Sequence, residues 1–552
     1  MKVMLVAVNA KYIHSNLAVY SLYSYAKEYQ DNIVIGEYTI NQKNDEIISN
    51  IYREKPDILG FSCYIWNISQ ILEIANELRK VLPQTKIWLG GPEVSYDAKA
   101  VLAKNPCLDG IICGEGEQTF YEIVAHYLEG KRTLADIKGI TWRGDGELIT
   151  NECREQLELD SIPFVYEQFP ENRIIYYESS RGCPFSCSYC LSGINKQLRF
   201  KSIAIVKKEL QYFLDAKVSQ VKFVDRTFNC NHEQTKAIWT YIKEHDNGIT
   251  NFHFEIAADI LNDEEIKLLN SLRAGQVQLE IGVQSVNPQT LNGINRTMDF
   301  AKVSQRVKEV SSGNNIHQHL DLIVGLPYED YESFKQSFNT VYELAPQQLQ
   351  MGFLKVLKGS DMANTTAEYG CIYRSTPPYE VLQTKWLSFD EILELKQVEE
   401  MVEIYYNSAQ FTKTIRQVVK LFASPFVFYQ ELGRFYKTSG YTNVAHARIK
   451  RYDILLEFLK EVPHADLAYF EELMLFDLYA RENLKKRPKW AAMPPKGRRN
   501  KDKMVHFENF NYDIDSKEAK RLAEPITIAF DYRKRDALTY NATYRKETPW
   551  QE

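Results

Sequence analysis

Short apolar runs separated by amphipathic stretches set the pattern of the N-terminal part of the chain. Val3–Val8, Ile33–Glu37, Ile58–Ser62, Ile87–Leu89 and Gly110–Cys113 read as strands. Their mostly unbroken apolar character is that of parallel strands buried on both faces. Asn16–Glu28 and Ile68–Val81 instead repeat apolar residues at three- and four-residue spacing, which predicts helices with one buried stripe. The alternation predicts a doubly wound, Rossmann-like α/β domain over residues 1–135. Its ligands should sit at the carboxyl ends of the strands.

The pattern changes twice further on. Gly139–Ile149 carries a Gly-Asp-Gly turn between strand-like runs, which predicts a hairpin, and a proline-containing linker follows at Asp160–Pro170. Together they occupy residues 136–170. A second strand–helix series then begins. Its strands are Ile174–Ser179, Gln220–Val224, Phe252–Ala257, Val277–Gly282, His319–Val324 and Gln350–Val356, with helical segments such as Ser202–Leu214 between them. This series predicts an open or partial barrel over residues 171–365. From about Gly370 the chain is helical and aromatic-rich to about Ala480, then basic, then strand-like at Ile526–Tyr532. Residues 366–552 are therefore expected to form an α+β accessory domain.

Composition narrows the class. The 552 residues are too many for one hydrophobic core, and a net charge of -6 argues against a broadly basic, nucleic-acid-coating surface. No apolar run reaches the roughly 18 residues of a membrane span, and the apolar stretch at Met1–Val8 is too short for a signal peptide. Nine cysteines in a chain this long are no disulfide framework. A reducing, cytoplasmic setting, where thiols can bind metal, is expected.

The most specific chemistry follows the first strand of the second series. Ser180-Arg181-Gly182-Cys183-Pro184-Phe185-Ser186-Cys187-Ser188-Tyr189-Cys190 spaces three cysteines as C-x-x-x-C-x-x-C. Thiolates so close on one loop can converge on one metal centre. Three ligands leave one iron of a four-iron cluster open. The competing reading is structural zinc, which prefers four ligands, and the next cysteine is only at Cys230.

This loop resembles the signature of the radical S-adenosylmethionine (radical SAM) superfamily. The resemblance implies a partial (β/α)6 barrel carrying a 4Fe–4S cluster on Cys183, Cys187 and Cys190. Reduction of that cluster would break the sulfonium bond of S-adenosylmethionine to give methionine and a 5′-deoxyadenosyl radical. It also implies that Tyr189 lies against the adenine. Asp225 follows the second strand, where the family binds the methionine amino group, although the usual Gly-Gly-Glu run is absent. Glu255 ends the third strand. Glu280-Ile281-Gly282-Val283-Gln284-Ser285 resembles the E-x-G-x-Q-S of cobalamin-type members, which implies cofactor roles for Glu280 and Gln284. Gly325, in Asp321–Pro327, resembles a glycine whose backbone approaches the adenine. Capping of strands or structural ion pairs, for example with Arg296, would equally account for the carboxylates.

Two glycine-bearing turns in the first domain extend the resemblance. Ser62 ends the third strand and Gly90-Gly91 the fourth; such turns let a ligand's tail approach the backbone. Their order resembles the cobalamin-binding domain, and Gly114-Glu115-Gly116-Glu117 resembles a segment of radical enzymes carrying that domain. Cobalamin is therefore implied, with Ser62, Gly90, Gly91, Gly114 and Glu115 as contacts. The loop Asn9–Asn16 departs from the D-x-H-x-x-G of axial-histidine domains, so His14 reads as a loop histidine and the lower face of cobalamin stays unassigned. A second cluster, as in methylthiotransferases, would need Cys63, Cys107 and Cys113, which read better as small buried hydrophobes.

The leading expectation is a cobalamin-dependent methyltransferase acting on an unactivated carbon. The alternatives are rearrangement, oxidation or cyclisation by the same cofactors, or a non-catalytic cluster or cobalamin sensor. The resemblance implies an external electron donor such as flavodoxin or ferredoxin. The basic stretch Leu484–Lys503, with Lys485, Lys486, Arg487, Lys489, Arg498, Arg499, Lys501 and Lys503, offers an RNA-binding loop in which Trp490 stacks on a base; a solvated linker is the favoured reading. Neither a catalytic side chain nor the substrate is legible in the sequence.

Overall fold

The computed structural model describes residues 1–144, 146–166, 173–194, 197–491 and 502–547. Asp145 of the hairpin turn, Pro170 of the linker, and Pro494, Pro495, Gly497, Arg498, Arg499 and Lys501 of the basic stretch lie outside them. The chain divides into two units. The first comprises residues 1–268, 292–297 and 354–384; the second comprises 269–291, 298–353 and 385–552.

In the first unit, a seven-stranded sheet runs in the order Ile33–Thr39, Val3–Asn9, Ile58–Ser62, Lys86–Gly90, Gly110–Ile112, Ile140–Arg143, Leu148–Thr150. The first five strands are parallel. Every residue of Val3–Asn9 is buried, as a central strand covered on both faces requires. Helix Ile68–Val81 matches its predicted bounds and buries Ile68, Ile71, Ile74, Ala75 and Leu78. Helix Leu17–Tyr25 starts where the Asn16 side chain accepts from the Val19 amide. The hairpin is not a separate linker element: its two strands extend the same sheet antiparallel to Gly110–Ile112. Chain order reverses between the strands starting at Val3 and Ile58, and the carboxyl ends beside such a reversal form a ligand-binding crevice.

The same unit holds three parallel strands of the second series, Ile175–Tyr177, Gln220–Phe223 and Asn251–Ile256. Helices Ile203–Asp215 and His232–Glu244 follow the first two. Tyr177, Phe213, Phe223, Phe228, Trp239 and Phe254 form a continuous aromatic core under them. Two short excursions from later in the sequence, residues 292–297 and 354–384, belong to this unit as well.

The second unit contains the parallel strands Val277–Gln284, His317–Val324 and Gln348–Phe353. It also contains the accessory part, with helices from Phe389–Val402 to Leu467–Arg481. An antiparallel sheet of Val505–Tyr512, Arg521–Arg535 and Ala542–Glu547 closes the chain. No described helix is long and apolar enough to cross a membrane.

Candidate functional site

The loop that follows strand Ile175–Tyr177 is held from several directions. Gly182 has φ +98°, and a Cβ there would lie 2.5 Å from the Gln197 carbonyl oxygen, so the chain can enter the loop this closely only as glycine. Cys183 and Cys187 are buried and Cys190 is half-buried. The Cys183 thiol sits 3.4 Å from the Thr227 hydroxyl. Arg296 donates to the Cys187 sulfur at 3.5 Å. Both backbone groups of Ser188 are taken: its N–H donates to Ile294 O (2.9 Å), and its carbonyl accepts from the Met362 N–H (2.8 Å). The two excursions that join this unit from later in the sequence therefore clasp the loop between its second and third cysteines.

Burial raises the Cys187 thiol above its ordinary value, the Arg296 guanidinium lowers it, and neighbouring Cys190 and Cys183 raise it further. The three thiols thus share one electrostatic neighbourhood, with a cation facing it. Among the described residues, no three His, Cys, Asp or Glu side chains are close enough together to hold a single metal ion. This is compatible with a four-iron cluster, in which each cysteine takes its own iron. The donor set fits that cluster, with Arg296 offsetting its thiolate charge. Tyr189, half-buried, has its hydroxyl raised by burial, with Arg296 opposing and Cys187 and Cys190 reinforcing the shift.

Asp225 is turned away from open space. It is fully buried and accepts from the Ser179 amide (3.0 Å), the Ser179 hydroxyl (2.6 Å) and the Ser180 hydroxyl. Burial pushes its carboxyl up to about 6 against these hydrogen bonds. Glu255 and its neighbour Arg226, 3.9 Å apart, instead line a cavity of about 740 Å³. Glu115, Glu117, Arg181, Arg199 and His14 line the same cavity. Burial, then Lys11 and Lys222, lower the His14 imidazole, and its Nδ1 shares a hydrogen bond with the Tyr176 hydroxyl at 2.7 Å.

Ser62, Gly90, Gly91 and Gly114 come together around a second, mainly apolar cavity of about 210 Å³ at the carboxyl ends of the parallel strands. Ser62 pairs with Gly90 in register. Gly91 has φ +114°, and a Cβ there would lie 2.4 Å from the Cys63 carbonyl oxygen. A slot walled by glycine backbone and by Leu5, Val19 and Phe120 fits a flat apolar ring such as the aromatic base at the end of cobalamin's nucleotide tail. Ala18, Tyr64, Gly116 and Glu117 line both cavities.

The remaining positions belong to the second unit. Glu280 is half-buried on strand Val277–Gln284. Gln284 has φ +71°, at a register shift, and its Oε1 is buried without a hydrogen-bond partner. Gly325 is buried, with φ +90°. Next to them, Ser285 and Ser337 donate to Glu329 (2.6 and 2.8 Å), whose carboxyl burial pushes up to about 7. In the accessory part, Trp490 is half-buried and donates to Asp453 at 3.0 Å. Thr227, Ile294, Arg296 as a thiolate partner, and Met362 were not signalled by any local motif.

Comparison with known proteins agrees with this geometry. Residues 3–124 match the B12 binding domain, residues 177–341 the radical SAM superfamily, and residues 367–504 a domain of unknown function, DUF4080. This chain is a radical SAM enzyme with a B12-binding domain. It uses a 4Fe–4S cluster, S-adenosylmethionine and cobalamin, and needs a source of electrons. It is 23% identical over 309 residues to the cobalamin-dependent radical SAM methyltransferase TokK of Streptomyces tokunonensis, covering 52% of this chain and 45% of TokK. It is 25% identical over 356 residues to the anaerobic magnesium-protoporphyrin IX monomethyl ester cyclase of Rubrivivax gelatinosus, covering 59% of this chain and 61% of the cyclase. The enzyme thus spans less than two thirds of either relative. The structure of the cobalamin-dependent S-adenosylmethionine radical enzyme OxsB, with aqua-cobalamin and S-adenosylmethionine bound, shares its fold at TM-score 0.57 and 16% identity, covering 85% of this chain and 78% of OxsB.

Proposed function

We propose that this enzyme is a methyltransferase that transfers a methyl group from cobalamin to an unactivated carbon. One observation carries the reading. The glycine-walled apolar slot shares Ala18, Tyr64, Gly116 and Glu117 with the larger cavity, which reaches Gly182 beside Cys183 and the strand ends at Val224 and Glu255. A tail-binding slot and a space of reaction size therefore adjoin within one unit. When bound, the cluster and S-adenosylmethionine supply radical hydrogen abstraction and cobalamin supplies a methyl donor, a combination suited to carbon that is not nucleophilic.

The residues of the chain have separate parts in this reading. Cys183, Cys187 and Cys190 hold the cluster, and Arg296 offsets thiolate charge at Cys187. Asp225 fixes the Ser179–Ser180 approach to the loop. Ile162, Phe164 and Val165 provide an apolar wall to the larger cavity that keeps water from a reactive centre. In the first unit, Tyr189 and Glu255 contact S-adenosylmethionine, and Ser62, Gly90, Gly91 and Gly114 contact cobalamin. Electrons come from a flavodoxin or ferredoxin in the cytoplasm. The resemblance to TokK supports methyl transfer, while that to the cyclase supports a non-methylating radical reaction by the same cofactors.

The test is anaerobic. Protein loaded with cluster and cobalamin is incubated with a reductant, S-adenosylmethionine and pooled small-molecule extracts. Methyl transfer yields both 5′-deoxyadenosine and S-adenosylhomocysteine, with label from the S-adenosylmethionine methyl group in the product. Extract-dependent deoxyadenosine without S-adenosylhomocysteine would replace this reading with the non-methylating one.

A further inference from the structure

The Gly114-Glu115-Gly116-Glu117 segment has two faces. Gly114 and Gly116 line the apolar slot, and Glu117 lines both cavities. The carboxylates point to the base of the cluster loop. Glu117 pairs with Arg181 and accepts from the Ser21 hydroxyl at 3.1 Å. Glu115 pairs with Arg199, lies 3.3 Å from Arg181, and accepts from the Leu157 amide at 3.2 Å. Arg181 and Arg199 stand opposite each other on the antiparallel pair Ser180–Arg181 and Arg199–Phe200. Arg181 directly precedes Gly182-Cys183.

This network is buried. Side-chain exposure is 6% for Glu117, 7% for Arg199 and 18% for Arg181. Burial opposes ionisation of Glu117, yet the Arg181 guanidinium holds its carboxyl below the ordinary value. A buried pair of this kind tolerates little displacement, because separating the partners leaves an uncompensated charge in a poorly solvated place. A shift of the 114–117 segment must therefore move Arg181 with it.

We propose that Glu117, assisted by Glu115, is a positioning residue that couples occupancy of the apolar slot to the geometry of the cluster loop through Arg181. The inference rests on the reading of that slot as the cobalamin-tail site. By linkage, loading the cluster then changes cobalamin affinity by the same factor as cobalamin changes binding at the cluster.

Equilibrium dialysis with hydroxocobalamin, on cluster-loaded and cluster-free full-length protein, measures that factor. In the wild type, a ratio of dissociation constants of about 5 or more is expected. Glu117→Gln brings the ratio to about 1, whatever it does to affinity itself. Glu178→Gln removes a different partner of Arg181, 2.9 Å away and on the same segment of chain, and leaves the ratio as in the wild type. If Glu117→Gln fails to take up the cluster, Glu115→Gln is measured instead, and an unchanged ratio there overturns the inference. Wild-type protein that binds cobalamin with a ratio of 1, or Glu117→Gln with the wild-type ratio, overturns the inference alone. Wild-type protein that binds no cobalamin in either state overturns the reading of the slot together with it.

Discussion

Asp225 offers a test of how the cluster loop is supported. Its carboxyl is raised from 3.8 to about 6 by burial, despite two serine hydroxyls and an amide that favour the ionised form. The folded-state value lies above the unfolded one, so the folded protein holds an extra proton between about pH 4 and 6. The resulting stabilisation is fully present below the unfolded value and is lost as pH rises through the folded one. At about 1.4 kcal/mol per unit, the difference is about 3 kcal/mol. Asp225→Asn keeps the shape, retains one acceptor oxygen and does not titrate. Peptide-level hydrogen exchange over Tyr177–Arg181 would be compared between the variant and the wild type, both cluster-free and reduced. Intrinsic exchange chemistry cancels in the ratio at each pH. From pH 4 to pH 8, the ratio of local opening should move by about two decades in favour of the asparagine variant. A ratio constant within about threefold would refute the account, because the carboxyl would then carry no desolvation penalty.

Three further expectations follow from geometry. Cys187→Ser protein, reconstituted anaerobically, lacks the cluster absorbance and forms no 5′-deoxyadenosine; wild-type levels of either would contradict the ligand assignment. Gly91→Ala forces a Cβ to within 2.4 Å of the Cys63 carbonyl and lowers cobalamin affinity by about tenfold or more, whereas Gly114→Ala, at φ +79° with nothing within 4 Å, costs only local strain of about 1–3 kcal/mol and a smaller loss in equilibrium dialysis. Asp477→Ala removes the acceptor of the Thr412 and Thr414 hydroxyls and the Lys413 and Thr414 amides, and destabilises the accessory part by about 3–5 kcal/mol in denaturant unfolding followed by tyrosine and tryptophan fluorescence.

What the sequence made legible was local. The three cysteines announce themselves because their spacing is a property of one loop, and helix Ile68–Val81 because its stripe is uninterrupted. Ser62 and Gly90 could be linked because each ends a parallel strand, and adjacent strand ends meet. Asp225 looked like a ligand by place, but burial beside Ser179 and Ser180, 46 and 45 residues earlier, gives it two hydroxyl donors that no spacing discloses. Glu115 was expected among the cobalamin contacts; its carboxylate is engaged by Arg199 and Arg181, far along the chain. Membership of residues 292–297 and 354–384 in the first unit was equally hidden, since neither carries a pattern of its own.

The clasp on Ser188 also bears on how the protein matures. Ile294 and Met362, which take its N–H and its carbonyl, are translated well after the three cysteines. While N-terminal parts fold on the ribosome, the nascent cluster loop has neither bond and cannot be held in its final form. The two bonds that fix Ser188 are therefore complete only after residue 362 has been synthesised, so the loop acquires its final support late in translation.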